Sequence, residues 1–307
     1  MRLRGLKGRP TALRDGYSGF MPATSLLRSG ALLLAAVASF ATVRTGSVAA
    51  RDGVKIVYDV RGGGDTTLLF VHCWSCDRSF WKNQADVFAE HYQVVTLDLA
   101  GHGESGKDRK TWSVVGLGDD VRAVADELKL KRIILVGHSM GGPVSLEAAR
   151  LLKGRAIGVI AVDTLHNAEQ QIPQQMLQSV VEKMKADFPG TMGGFMGSMF
   201  GKDADPAARQ FVETRAKAAN PEVAIALIQD FANLDLTKLF SNAGAPIRGI
   251  NAKPPLAPVT AFETNRKYAD YDAVLMDGVG HFIQLERPQE FNEHLAKFAA
   301  GFAGRSK

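Results

Sequence analysis

The sequence predicts an α/β fold, a mostly parallel β-sheet flanked by helices on both faces. Short, β-rich apolar runs alternate with amphipathic helical patterns along most of the chain. Most of those runs lack the apolar-polar alternation of a half-solvated sheet, which marks strands covered on both sides. The 307 residues are 46% hydrophobic and 22% charged, a globular balance in a chain long enough to bury a core without metal or disulfide staples.

Residues 54–60 alternate and read as a half-buried strand, closed by a Gly62-Gly63-Gly64-Asp65 turn. The buried type follows at 67–72, 93–99, 132–137, 157–162, 246–251 and 271–276. Helical patterns occupy 113–128, 142–152 and 288–302. From about His166 to Leu239 there is no strand, only helical pattern broken at Pro189-Gly190 and around 193–201. This stretch follows one core strand and precedes the next, so it is expected to sit as a helical lid over the strand ends. It carries Met176, Met184, Met192, Met196 and Met199 with Phe188, Phe195 and Phe200, which suit either plain helix packing or an adaptable apolar wall around a substrate.

The net charge of +5 suggests a nucleic-acid binder until it is divided. Residues 1–50 hold seven basic residues against Asp15 alone, so the rest of the chain is near neutral and lacks that footprint. The basic segment precedes the uncharged run 31–43, too short for a span of roughly 20 residues and suited to the core of an export signal. Small-x-small cleavage options stand at Ala36-Val37-Ala38, Ser39-Phe40-Ala41 and Ser47-Val48-Ala49. Residues 1–44 are therefore expected to be a signal peptide or an N-terminal anchor. The protein is read as exported, periplasmic or secreted, with no membrane span in the mature domain.

Gly137-His138-Ser139-Met140-Gly141 lies between a buried strand and a helix. Gly-x-Ser-x-Gly in that context lifts a serine hydroxyl on a strained turn, with glycines where side chains would crowd it. The helix start that follows offers free N–H groups to a developing oxyanion.

Together with Val71-His72-Cys73-Trp74, Asp98-Leu99-Ala100-Gly101-His102-Gly103-Glu104-Ser105 and Gly278-Val279-Gly280-His281-Phe282, this stretch resembles the α/β-hydrolase fold superfamily, nearest its lid-bearing serine esterase-like members. The resemblance covers about residues 47 to 303. It implies a core of 45–165 and 240–307 with a helical lid at 166–239, inserted after the sixth core strand. It also implies that Ser139 is the nucleophile, His281 the general base, and the backbone amides of Met140 and Trp74 the oxyanion hole. His72 and His102 fall in fold-supporting turns of the family, and His138 is expected to point inward. Cys73 stands where the family usually has glycine, which could shift the Trp74 amide if that turn needs a positive φ.

The family commonly carries an aspartate after the strand at 246–251, but residues 251–260 here contain no carboxylate. Asp163, closing the preceding strand, and Glu263, beyond the proline-rich loop, are the two substitutes. Asp163 is preferred because a strand end fixes a carboxylate better than a loop does.

Cys73 and Cys76, the two cysteines of the chain, form a C-x-x-C that invites a thioredoxin-like redox reading. Their place in the oxyanion loop favours a disulfide in an oxidising compartment. The expected activity is cleavage of a small apolar ester or related acyl compound through an acyl-enzyme, without cofactor or metal. A C–C bond hydrolase or acyltransferase using the same residues, and a non-catalytic ligand sensor on the same scaffold, are the alternatives.

Overall fold

The computed structural model describes residues 42–255 and 257–304. The predicted export segment lies almost wholly outside them. Eight strands, β1 (Arg44–Ala49), β2 (Lys55–Gly62), β3 (Thr66–Val71), β4 (Gln93–Leu97), β5 (Arg132–His138), β6 (Ala156–Val162), β7 (Ile247–Ala252) and β8 (Tyr271–Met276), form one sheet. Their order is β1-β2-β4-β3-β5-β6-β7-β8. β2 runs antiparallel to both its neighbours, and every pair from β4 to β8 is parallel. The predicted mostly parallel sheet is the one that forms.

The helices are α1 (Lys82–Ala89), α2 (Val114–Glu127), α3 (Gly141–Leu152), α4 (Gln174–Ala186), α5 (Phe188–Ser198), α6 (Pro206–Lys217), α7 (Pro221–Ala232), α8 (Leu236–Asn242), α9 (Phe262–Arg266), α10 (Ile283–Glu286) and α11 (Pro288–Ala303). Side chains alternate across a strand, so each central strand feeds two cores. Leu68, Phe70, Ile134, Val136 and Ile160 pack with Phe88 of α1 and Phe291, Leu295 and Phe302 of α11. Leu69, Val71, Ile133, Leu135 and Val159 pack with Leu117 and Val121 of α2 and Val144 of α3. Two-sided burial is why these runs are apolar throughout, and each fully covered side chain contributes about 1.5–3 kcal/mol.

The chain leaves β3 for β4 on one side, then crosses back over β3 to β5 on the other. That reversal opens a crevice beyond the carboxyl ends of β3 and β5, where ligands of open α/β sheets lodge. Helices α4 to α8 form the insertion between β6 and β7.

Three elements differ from expectation. β1 is an added edge strand, Arg44↔Val60 through Ala49↔Lys55, whose mostly exposed residues give no apolar signal. It contains the Ser47-Val48-Ala49 cleavage option, so a cut there would remove it whole. α1 escaped the apolar pattern because Gln84 faces inward, donating to the Gln284 carbonyl (3.1 Å) and Asn292 Oδ1 (3.0 Å). α5 takes in residues read as breaks, and the chain is interrupted just beside them instead, at Asp187 before it and from Met199 after it. Pro189 sits in its first turn, where proline is tolerated. Gly193 and Gly197 leave room for Lys217 and Glu213 of α6, so these glycines serve close helix packing.

Gly137 faces the backbone of Gly141, and a Cβ there would collide with it, whereas Gly63 has open space around its Cα. Gly137→Ala is expected to cost about 1–3 kcal/mol, and Gly63→Ala to stay within about 0.5 kcal/mol. Urea unfolding midpoints check the pair.

Candidate active site

Ser139 sits on the bend between β5 and α3 with φ at 54°, a conformation of order 1–3 kcal/mol uphill for a residue with a side chain. The surroundings hold it there. Its N–H donates to the Val162 carbonyl (3.0 Å), and its own carbonyl accepts from Gly142 (2.9 Å). Gly141 lies against the Val71 and His72 carbonyls, so any side chain at 141 would force α3 off β3.

The predicted base and the preferred acid meet. His281, in the loop after β8, donates from Nδ1 to Asp163 Oδ2 at 2.6 Å, leaving Nε2 as its basic nitrogen. Its backbone is held too: the N–H donates to the Met199 carbonyl (2.7 Å), and the carbonyl accepts from His138 Nε2 (2.8 Å). Asp163 closes β6 with φ at 43° and is buried. Burial alone would raise its carboxyl, but the hydrogen bond and charge of His281, with help from His166 and the Ala252 N–H (2.8 Å), bring it below the ordinary carboxylate value.

Glu263 is not brought to this pair. It lies on α9 with its side chain 86% exposed and pairs with Arg266 at 2.8 Å. Instead the chain near the β7 end braces the acid. Asn251 Oδ1 accepts from the Thr164 N–H (3.3 Å), its Nδ2 donates to Thr260 Oγ1 (3.0 Å), and Asn265 Nδ2 donates to the Leu165 carbonyl (3.0 Å). His166, to which the sequence assigned no role, lies 3.6 Å from Asp163 Oδ1. Its partners lie up to about a hundred residues away, and no local pattern announces them.

Cys73 does not adopt a positive φ; Ser75, two residues on, does, at 58°. The turn therefore makes no demand for a positive φ at 73. Cys73 and Cys76 are joined by a disulfide, and the Trp74 indole donates to the Ala224 carbonyl of α7 (2.9 Å).

Ser139, Met140, Trp74 and His281 line one cavity of about 410 Å³ whose further walls are Met176, Phe195, Met196, Met199, Leu227 and Phe231. A second cavity of about 270 Å³ shares Ser139 and His281 and is lined by Thr164, His166, Asn167 and Gln170. The insertion's methionines thus divide: Met184 and Met192 are buried in packing, while Met176, Met196 and Met199 form cavity wall. Among the described residues, no cluster of three His, Cys, Asp or Glu could hold a metal, and no helix is long and apolar enough to cross a membrane.

The sequence profile described as "Alpha/beta hydrolase family" matches residues 68–294. The dihydrolipoyllysine-residue acetyltransferase component of the acetoin cleaving system of Pseudomonas putida is 28% identical over 252 residues, 78% of this chain, which spans 65% of that protein. The karrikin insensitive 2 receptor CA of Petunia hybrida is 25% identical over 256 residues, 79% of this chain and 93% of that one. Among solved structures, Est816, described as an N-acyl homoserine lactone degrading enzyme, is 27% identical with a TM-score of 0.69, covering 82% of this chain and all of that one.

The remaining buried histidines are staples. His72 accepts from the Leu99 N–H (2.9 Å) and bonds the Cys73 carbonyl; His102 accepts from the Ser75 N–H (3.2 Å) and bonds the Ala100 carbonyl. His138 points inward as expected, between the His281 carbonyl and Gln284. Burial pushes His72 down to about 4 and His102 and His138 down to about 3. All three are neutral at pH 7, and the unfolded chain takes up their protons first, near pH 6.5. Stability is therefore present above about pH 6.5 and drains as pH falls toward 4, by up to about 1.4 kcal/mol per unit for each ring. Guanidinium unfolding at pH 7.5 and 5.0 should give a clearly lower midpoint at 5.0; equal midpoints contradict it.

Proposed function

The chain belongs to the alpha/beta hydrolase family, and on that premise we propose that it is a serine hydrolase cleaving a small, largely apolar ester or related acyl compound. The observation that carries this reading is the His281–Asp163 bond of 2.6 Å at the edge of a cavity that also presents Ser139 on its strained bend.

Ser139 Oγ attacks the carbonyl carbon while His281 Nε2 takes its proton. Asp163 fixes the imidazole through Nδ1 and stabilises the imidazolium that forms. The amides of Met140 and Trp74 hold the oxyanion as the tetrahedral intermediate forms. His281 then gives the proton to the leaving group, and water, activated by the same ring, releases the acyl group. The methionine- and phenylalanine-lined cavity suits an apolar acyl portion, under the inserted helices acting as a lid.

A receptor on this scaffold is the second reading, favoured by the likeness to the Petunia protein. Turnover of p-nitrophenyl esters of graded chain length separates the two. Ser139→Ala is expected to abolish it, and Asp163→Asn to lower kcat by about 10⁴-fold, while Glu263→Gln leaves it unchanged. Saturable ligand binding with no ester turnover would support the receptor.

The basic segment with its apolar run and the Cys73–Cys76 disulfide both support export. Fractionation of the expressing cell should recover the protein outside the cytoplasm, and purely cytoplasmic recovery would refute this.

A further inference from the structure

The loop that carries His281 is bonded to the inserted helices through a side chain with no part in the chemistry above. Glu286, at the end of α10, aims its carboxylate at three backbone amides. Oε2 accepts from Gly201 (2.9 Å) and Gly280 (3.0 Å), and Oε1 accepts from Gly280 (3.1 Å) and Phe282 (3.2 Å). Gly280 and Phe282 flank the imidazole in sequence, whereas Gly201 follows α5 in the insertion. One anion thus draws together two segments about eighty residues apart, by charge-assisted bonds stronger than neutral ones.

The segments are shaped to meet. A Cβ at Gly280 would strike the Met199 carbonyl and the Gly201 nitrogen, and a Cβ at Gly201 would strike Glu286 itself. Gly280 lets backbone rest on backbone there, and Gly201 leaves room for the Glu286 carboxylate. The His281 N–H closes the contact on the Met199 carbonyl (2.7 Å), and Phe200 stacks on Phe282 with centroids 4.8 Å apart. Met199 also lines both cavities. The wall that touches substrate and the loop that holds the imidazole are therefore one bonded unit.

We infer that Glu286 is a positioning residue: it sets the imidazole of His281 against Ser139 by clasping the base loop to the end of α5. Asp163 fixes the ring's rotation, and Glu286 fixes the place of the backbone from which the ring hangs. This rests on the serine-hydrolase reading for its effect on rate, but the clasp itself has an independent readout.

The test uses the full chain and Glu286→Ala and Glu286→Gln variants, with p-nitrophenyl ester turnover and site-resolved amide hydrogen exchange. A misplacement of about 1 Å can cost about 100-fold in rate. Glu286→Ala should therefore lower kcat by about 10- to 100-fold with KM within about threefold, and Glu286→Gln, which keeps one acceptor oxygen and the shape, should restore part of the loss. Exchange at Gly201, Gly280 and Phe282 should accelerate at least tenfold in Glu286→Ala while core-strand amides are unchanged. A kcat within twofold of the parent in both variants, or a loss confined to KM, overturns the positioning role. Unchanged exchange at the three amides overturns the clasp. If Glu286→Ala fails to fold, Glu286→Gln alone decides by the same measures. Absence of turnover in the parent protein defeats the hydrolase reading and leaves exchange to judge the clasp.

Discussion

The arrangement depends on a buried hydrogen bond between residues 118 positions apart in sequence, His281 and Asp163. A carboxylate buried that deeply is tolerable only if its oxygens are occupied. One oxygen takes the imidazole and the other the Ala252 amide at the end of β7. Satisfying Asp163 thus requires three parallel neighbours in register and a loop returning from β8, so the site cannot form before the sheet does. The same demand explains the bracing by Asn251, Thr260 and Asn265, which hold the turn after β6 in its left-handed conformations at Asp163 and Leu165.

Two strained bends stand side by side, Ser139 after β5 and Asp163 after β6. Because β5 and β6 are parallel neighbours, with His138 opposite Val162, both residues emerge at the same edge of the sheet. The topological reversal at β3 brings the Cys73–Trp74 loop to the same edge. Sheet order alone places Ser139, Asp163 and the Cys73–Trp74 loop, and the loop after β8 brings His281 to them.

What could be read in the sequence follows from how far each signal reaches. β3, β5 and β6 were legible because burial on both faces makes every position apolar, and Ser139 because a tight bend demands glycines within two residues. Asp163 was one of two carboxylates the family resemblance left open, and the structure sets it, not Glu263, against His281. β1 was not, since an edge strand can be polar throughout, nor was α1, whose buried Gln84 breaks the pattern. The glycines of α5 misled because the helix on which they permit close approach, α6, lies further along the chain. His166 and Glu286 were invisible because each also reaches a partner far along the chain, Thr260 for His166 and the Gly201 amide for Glu286, and such a contact leaves no periodic trace.

The insertion is moored to the site by, among other contacts, the Trp74 indole on the Ala224 carbonyl, the Met199 carbonyl on the His281 amide, and direct chain continuity from Asp163 through His166 into α4. A segment so moored is a keystone set against the Cys73–Trp74 loop, His281 and Asp163 together. Transplanting it from a relative would mean rebuilding these footings at once. New specificity in this protein is more readily sought by changing side chains inside the cavity than by exchanging the helices above it.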